Sequence, residues 1–246
     1  MVLLVTLLAG LVAGSMNALA GGGSFVTFPS LLFAGLTPIG ANITSTVALF
    51  PGQITTALAG RRMVGGAGGL SFRALFAISL AGGALGGLLL LATPPDFFAH
   101  LVPWLVLFAT AVFTWGSFFR RSGAGAARLG ARGAGAAQFA ISIYGGYFGG
   151  GIGFLMLAAL TMTGLAVRNA GATKNALAGV MNAAAVAIFL FSGQIVWLEA
   201  AVLGAGAIAG GYLGVFLLKR VRESVLRGFV VALGAALTVG LFLHFG

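Results

Sequence analysis

The sequence predicts an all-α polytopic membrane protein made of two inverted-topology repeats, each a glycine-broken helical hairpin followed by three transmembrane helices. Three observations predict it. Hydrophobic residues make up 60% of the chain and charged residues 7%, whereas soluble domains carry roughly 25% charged residues. So few charges cannot clothe a surface facing water, and lipid has to be the solvent. One passage is written twice, once in each half. The cations gather in short clusters, and these alternate between corresponding loops of the two halves.

The first copy of the passage reads GGGSFVTFPSLLFAGLTPIGANITST, from Gly21 to Thr46, and the second reads GGIGFLMLAALTMTGLAVRNAGATKN, from Gly150 to Asn175. Without a gap, Gly21, Gly22, Phe25, Leu31, Gly35, Leu36, Ala41 and Thr44 fall on Gly150, Gly151, Phe154, Leu160, Gly164, Leu165, Ala170 and Thr173. The shared order is glycine cluster, apolar run, Gly-Leu, Ala-x-x-Thr. Duplication with interrupted apolar segments at matching places in both halves is a signature of membrane transporters.

The elements follow in order. A hydrocarbon core of about 30 Å takes about 20 apolar residues per helix. Each half opens on an apolar region holding a glycine cluster, at 2–35 and 137–164. The second opener is short for two full spans, so each opener reads as a hairpin of two short helices meeting at the glycines. Broken backbone at depth is tolerated where protein or a cavity covers it. The competing reading is a plain span followed by a surface segment. Three full-length runs follow in the first half, at 42–60, 72–93 and 98–119, and three in the second, at 173–191, 197–217 and 226–244. This divides the chain into a first repeat over 1–119, a basic linker over 120–136 and a second repeat over 137–246. Gly supplies 42 of 246 residues, which suits close helix crossings in lipid.

Charge orients the halves. Arg61, Arg62 and Arg73 follow the run 42–60, while the corresponding loop after 173–191 holds no cation. Around Pro94, Pro95 and Asp96 there is no cation, and the counterpart carries Lys219, Arg220, Arg222 and Arg227. The turn Thr37 to Gly40 is neutral, and its counterpart carries Arg168, read as a topology anchor. Positive loops stay in the cytoplasm, so the halves are expected to lie inverted. The linker, with Arg120, Arg121, Arg128 and Arg132, is then cytoplasmic, and both termini face outside. No cleaved signal peptide is expected, because no Lys or Arg precedes the first apolar run.

The candidate binding residues fall in three groups. The first is the glycine clusters: Gly21, Gly22, Gly23 and Ser24, then Gly150, Gly151 and Gly153. A helix starting after such a cluster aims free N–H groups and its positive dipole end back at it, which makes an anion site without a charged side chain. The competing reading is tight helix crossing alone. The second group is Asn42, Thr44, Ser45 and Thr46, matched by Thr173, Lys174 and Asn175. Asn42 could be a simple cap, but capping does not call for four polar residues in five positions. Lys174 replaces Ser45 of the first half and either snorkels to the cytoplasmic surface or faces a cavity. The third group is isolated polar residues in apolar runs: Asn17 one turn before the first cluster, and Gln53 with Asn182 at the repeat spacing. Interhelical hydrogen bonding is the default for such residues.

Some chemistry is excluded. There is no Cys, and two His with three acids leave little for a metal. Asp96, Glu199 and Glu223 lie at loops or helix ends, so a proton relay through a buried carboxylate is not expected. No catalytic constellation falls within the membrane, which argues against an enzyme. No cofactor is called for.

At these motifs the chain resembles the sulfite exporter TauE/SafE family, also called the transmembrane sulfur-compound transporter family. The resembling residues are Gly14 to Thr46 and Tyr144 to Leu165, with the glycine pairs of Gly82 to Gly87 and Gly206 to Gly211. The resemblance implies a bacterial inner-membrane carrier for sulfite, a sulfonate or a related small organic anion. It covers essentially the whole length. The second copy departs from the first in lacking Pro29 and Pro38 and in carrying Lys174, so two equivalent half-sites are not expected. The leading expectation is a secondary transporter working by alternating access, with its site at the paired glycine breaks. An anion channel, a small-carboxylate carrier and a structural membrane subunit are the rivals. The expected partners are the small anion and the bilayer, with a homodimer left open and nucleic acid excluded.

Overall fold

The computed structural model describes residues 1–19, 22–115, 129–217 and 223–245. Among them the regular structure is helical, apart from one bridge pairing Ala67 with Leu70. The helices are α1 (Val2–Leu19), α2 (Ser24–Phe33), α3 (Pro38–Gly60), α4 (Phe72–Ala92), α5 (Pro95–Thr114), α6 (Ala131–Tyr147), α7 (Ile152–Met162), α8 (Val167–Phe189), α9 (Trp197–Leu217) and α10 (Glu223–Phe245). A short 3-10 turn, Arg61–Met63, follows α3. The order is five helices and then five more. Each set opens with two short helices that pack on each other around a glycine break, α1 with α2 and α6 with α7.

Local chemistry sets the ends. α2 closes on Gly35, whose φ of 92° is the left-handed conformation a glycine takes without strain. Its N–H reaches the Leu32 carbonyl and the Leu36 N–H reaches that of Leu31, the two bonds of a Schellman cap. α7 ends the same way on Gly164, with φ of 94° and its N–H on the Thr161 carbonyl. The repeated Gly-Leu is therefore a helix stop. α3 starts at Pro38, four residues before the expected 42, because Thr37 Oγ1 accepts from Gly40 N–H and Pro38 fits the first helical position. α8 likewise starts at Val167 rather than 173. The polar residues expected at helix starts therefore lie one to two turns inside. α6 begins at Ala131, within the stretch expected as linker, and the Leu129 N–H on the Met162 carbonyl ties its entrance to the end of α7. Arg120, Arg121 and Arg128 lie outside the described residues, as do Lys219, Arg220 and Arg222.

Packing crosses between the halves. α1 lies along α9, and α6 along α4. α3 packs on α8, while α3 meets α9 and α8 meets α4. α5 meets α10. Each contact has a partner at the corresponding places of the other half. The long crossings run on glycine: a Cβ on Gly14 would strike the Ala207 carbonyl, one on Gly210 the Leu11 carbonyl, and one on Gly83 the Met181 backbone. Small residues let backbones touch in lipid, where packing rather than the hydrophobic effect holds helices together. The outward surface is apolar, with Phe76, Leu80, Leu88 and Leu89 of α4 exposed. Among the described residues, three helices are long and apolar enough to cross a bilayer by length and composition: α4, α5 over Pro95–Val112, and α8. α3 has the length, at 23 residues, but its apolar character is diluted by Asn42, Thr44, Ser45, Thr46 and Gln53.

Candidate functional site

The two glycine breaks converge on one cavity of about 450 Å³. Gly22 and Ser24 reach it from the first break, and Gly149, Gly151, Ile152 and Gly153 from the second. The lining runs over the later half of α3, from Leu49 to Ala59, and over the early half of α8, from Lys174 to Ala178. α1 adds Gly14 and Asn17, and α9 adds Ala207, Ile208, Gly211 and Tyr212. Among the described residues no carboxylate lines it.

Of the expected site residues, Asn17, Gly22, Ser24, Gln53, Gly151, Gly153, Lys174 and Asn175 line this cavity together. Gly21 lies outside the described residues. Gly23 and Gly150 are buried beside the breaks without lining the cavity. Asn182 is buried behind Gln53, and its Nδ2 donates to Gln53 Oε1 at 2.6 Å. The remaining five do not face the cavity. Asn42 Nδ2 donates to the Tyr147 carbonyl at 2.8 Å, joining α3 to the tip of α6. Thr44 Oγ1 accepts from Val196 N–H in the loop before α9, and Thr173 Oγ1 accepts from Gly65 N–H in the loop before α4. The repeated Ala-x-x-Thr thus does the same work twice: a buried Ala at a crossing, then a Thr that holds a loop of the opposite half. Ser45 shares a hydrogen bond with Thr27, and Thr46 Oγ1 donates to the Asn42 carbonyl.

The two breaks differ in one decisive way. At the first, Asn17 Oδ1 accepts from both Gly22 N–H at 3.1 Å and Gly23 N–H at 2.8 Å. Those donors are spent on the turn. At the second, the residue in Asn17's place is Gly146, which has no side chain to offer and packs against the Gly83 backbone. The N–H groups of Gly150, Gly151, Ile152 and Gly153 make no hydrogen bond among the described residues. Three of those four residues line the cavity. They sit at the start of α7, where unpaired donors and the dipole favour a negative charge. Gly151 has φ of 72°, which fixes the turn that presents them. Lys174 also lines the cavity and has no ion-pair partner among the described residues. The cavity therefore gathers open donors and one cation, the chemistry that replaces an oxyanion's water.

Sequence reasoning missed Thr55, Thr56 and Tyr212, which also line the cavity. The signal for the threonines was present: they continue the polar face of α3 beyond Gln53. Tyr212 carried none, because its place on the wall depends on α9 lying along α1.

A lipid-solvated helical bundle whose two glycine breaks meet at one mostly apolar cavity set with a few polar groups has the architecture of a multi-pass membrane transporter rather than an enzyme, and it belongs in the bacterial inner membrane. The chain belongs to the sulfite exporter TauE/SafE family, whose family model matches residues 6–241. It is similar to a "Probable membrane transporter protein" of Haemophilus influenzae, 29% identical over 93% of this chain and 90% of the relative. A "Probable membrane transporter protein" of a Sinorhizobium species is 29% identical over 95% of this chain and 89% of its own length. The Escherichia coli "Probable membrane transporter protein YfcA" is 26% identical, over 94% and 86%. No solved structure matches the chain.

Proposed function

We propose that the protein is a secondary transporter of a small sulfur-containing anion, sulfite or an organosulfonate, working by alternating access between two repeats inverted in the membrane. The observation that carries the reading is the cavity wall at the second break: Gly151, Ile152 and Gly153, whose N–H groups make no hydrogen bond among the described residues, line the same space as Lys174, with no carboxylate among the described lining residues. A small oxyanion fits a pocket of about 450 Å³ and needs donors on several sides. The paired packing of corresponding helices supports a two-fold relation between the halves, and the alternating cation clusters support its inversion. The family match supports the sulfur class.

The test is thermal unfolding of the purified protein in detergent with a panel of anions. A ligand that binds the folded state raises stability by RT ln(1 + [L]/Kd), about 2.7 kcal/mol at a hundred times Kd. Sulfite or a sulfonate is expected to stabilise the protein, and chloride and phosphate are not. Stabilisation by small carboxylates in place of the sulfur anions overturns the substrate class.

A further inference from the structure

We infer that the cavity is the cytoplasm-open form of a site with a second, externally open form, whose walls are the repeat counterparts of the present ones and in which Ser45 takes the place of Lys174. The inference rests on the transporter reading above and adds to it the residues of the unseen side.

The floor of the cavity is symmetric. Gly22 and Gly151, Ser24 and Gly153, and Leu49 and Ala178 all line it, and the members of each pair stand one repeat apart. Gln53 and Asn182, at the same offset of 129, bond to each other. Residues exchanged by a two-fold relation can meet only where its axis passes, so the floor lies on that axis.

The walls are not symmetric. Thr55, Lys174, Ile208 and Gly211 line the cavity, while their repeat counterparts, Ala184, Ser45, Ala84 and Gly87, do not; on α4 and α9 the counterparts follow from the matched glycine pairs Gly82–Gly87 and Gly206–Gly211. Every wall residue lies toward a cation-bearing end: α3 runs on to Arg61 and Arg62, and α8 starts beside Arg168. That is the cytoplasmic side by the charge rule. Their repeat mates lie toward the opposite ends, with Ser45 bonded to Thr27, Gly87 close against the Ala185 backbone and Ala184 half-buried. A one-sided opening on a two-sided scaffold has a second solution, reached by exchanging the two sets of contacts without inventing new ones.

The external side is closed by the tip of α6. The Tyr147 ring stands 5.6 Å from that of Phe98, and its hydroxyl lies 3.2 Å from Thr93 Oγ1. Phe148 stands 5.7 Å from Phe28. The residues one repeat away from Tyr147 and Phe148 are Ala18 and Leu19, so no aromatic plug is encoded for the cytoplasmic side. This imbalance makes the external form the minor one. It also confines Lys174 to the cytoplasmic vestibule, so an anion entering from outside meets hydroxyls before it meets a cation.

The chain has no Cys, so single-cysteine variants report cleanly. Thr55→Cys, Ser45→Cys and Ala184→Cys are each treated with a membrane-impermeant maleimide in right-side-out and in inside-out vesicles. Thr55→Cys is expected to label at least about tenfold faster from the cytoplasmic face. Ser45→Cys and Ala184→Cys are expected to label from the external face alone, slowly, and about tenfold faster once Tyr147→Ala removes the plug, because the labelling rate scales with the population of the open form. Ser45→Cys changes one atom, and Ala184→Cys stands independently should the first misfold. If both stay unlabelled from either face in the Tyr147→Ala background, the second form is overturned while the transporter reading stands. If Thr55→Cys labels from the external face, the sidedness fails and the inverted arrangement with it. Equal labelling of all three from both faces describes an open pore and overturns both.

Discussion

Asn182 and Gln53 stand 129 residues apart, the spacing of the repeat, and the Asn182 amide donates to the Gln53 carbonyl oxygen at 2.6 Å. The bond joins α8 to α3 at the cavity, with Asn182 buried and Gln53 lining the space. Interhelical polar bonds in membrane proteins contribute about 0.6 kcal/mol on average and up to about 1.7. Gln53→Ala and Asn182→Ala are each expected to lower stability in detergent by about 1 kcal/mol, with the double variant costing less than the sum. A double-mutant cycle on thermal unfolding measures this. A coupling of zero would show that the two amides do not hold each other.

Lys174 answers a different question, because it has no ion-pair partner among the described residues and its loss orphans none of their charges. Lys174→Ala is expected to leave the unfolding temperature of the unliganded protein nearly unchanged. The Kd for sulfite, read from the concentration dependence of stabilisation, is expected to rise about tenfold, the loss of about 1.4 kcal/mol of charge-assisted binding. Lys174→Arg keeps the charge and is expected to retain most of the affinity. An unchanged Kd in Lys174→Ala removes Lys174 from the site.

How much of this could be read from the sequence depends on which interaction set each feature. Composition dictated the solvent, and the glycine clusters dictated the two helix breaks at Gly22–Gly23 and Gly149–Gly151. Local capping was legible in part: Gly35 and Gly164 stood out as a repeated pair, but the Thr37 cap that starts α3 early was read as a neutral turn. Tertiary choices were out of reach. Asn42, Thr44 and Thr173 look like ligands in a row of polar residues, yet each bonds to backbone of the opposite half. Their partners, Tyr147, Val196 and Gly65, are known only once α6 lies on α4 and α9 on α1. The inequality of the two breaks was legible in principle, since Asn17 has no polar counterpart at Gly146.

The crossing of α1 with α9 gives a prediction about folding rather than transport. Gly14 meets Ala207 backbone to backbone, and a side chain there has only carbonyl and Cα atoms to strike. Overpacking of this kind costs typically 1–3 kcal/mol and, where no flexible group can yield, about that or more. Gly14→Val is expected to lower the unfolding temperature sharply and to broaden the size-exclusion profile. Gly211→Ala on α9, the helix that carries Ala207, where an added Cβ meets nothing within 4 Å, is expected to behave as the parent. Similar stability of the two variants would contradict the close crossing.

Asn17 separates structure from binding in a single position. Its Oδ1 accepts from Gly22 and Gly23 N–H, and the residue also lines the cavity. Asn17→Ala removes the acceptor and leaves two buried N–H groups without a partner, which costs about 1–3 kcal/mol each where water cannot reach. The first break should loosen, with lower thermal stability and weaker sulfite binding together. Asn17→Asp keeps the acceptor and so is expected to keep the turn and the unfolding temperature. It also places a carboxylate on the wall of a cavity that otherwise gathers donors. Like charges brought close in a poorly hydrated site repel by several kcal/mol, so sulfite stabilisation is expected to vanish in Asn17→Asp while the fold survives. Full sulfite binding in that variant would mean that the anion sits elsewhere than between the two breaks.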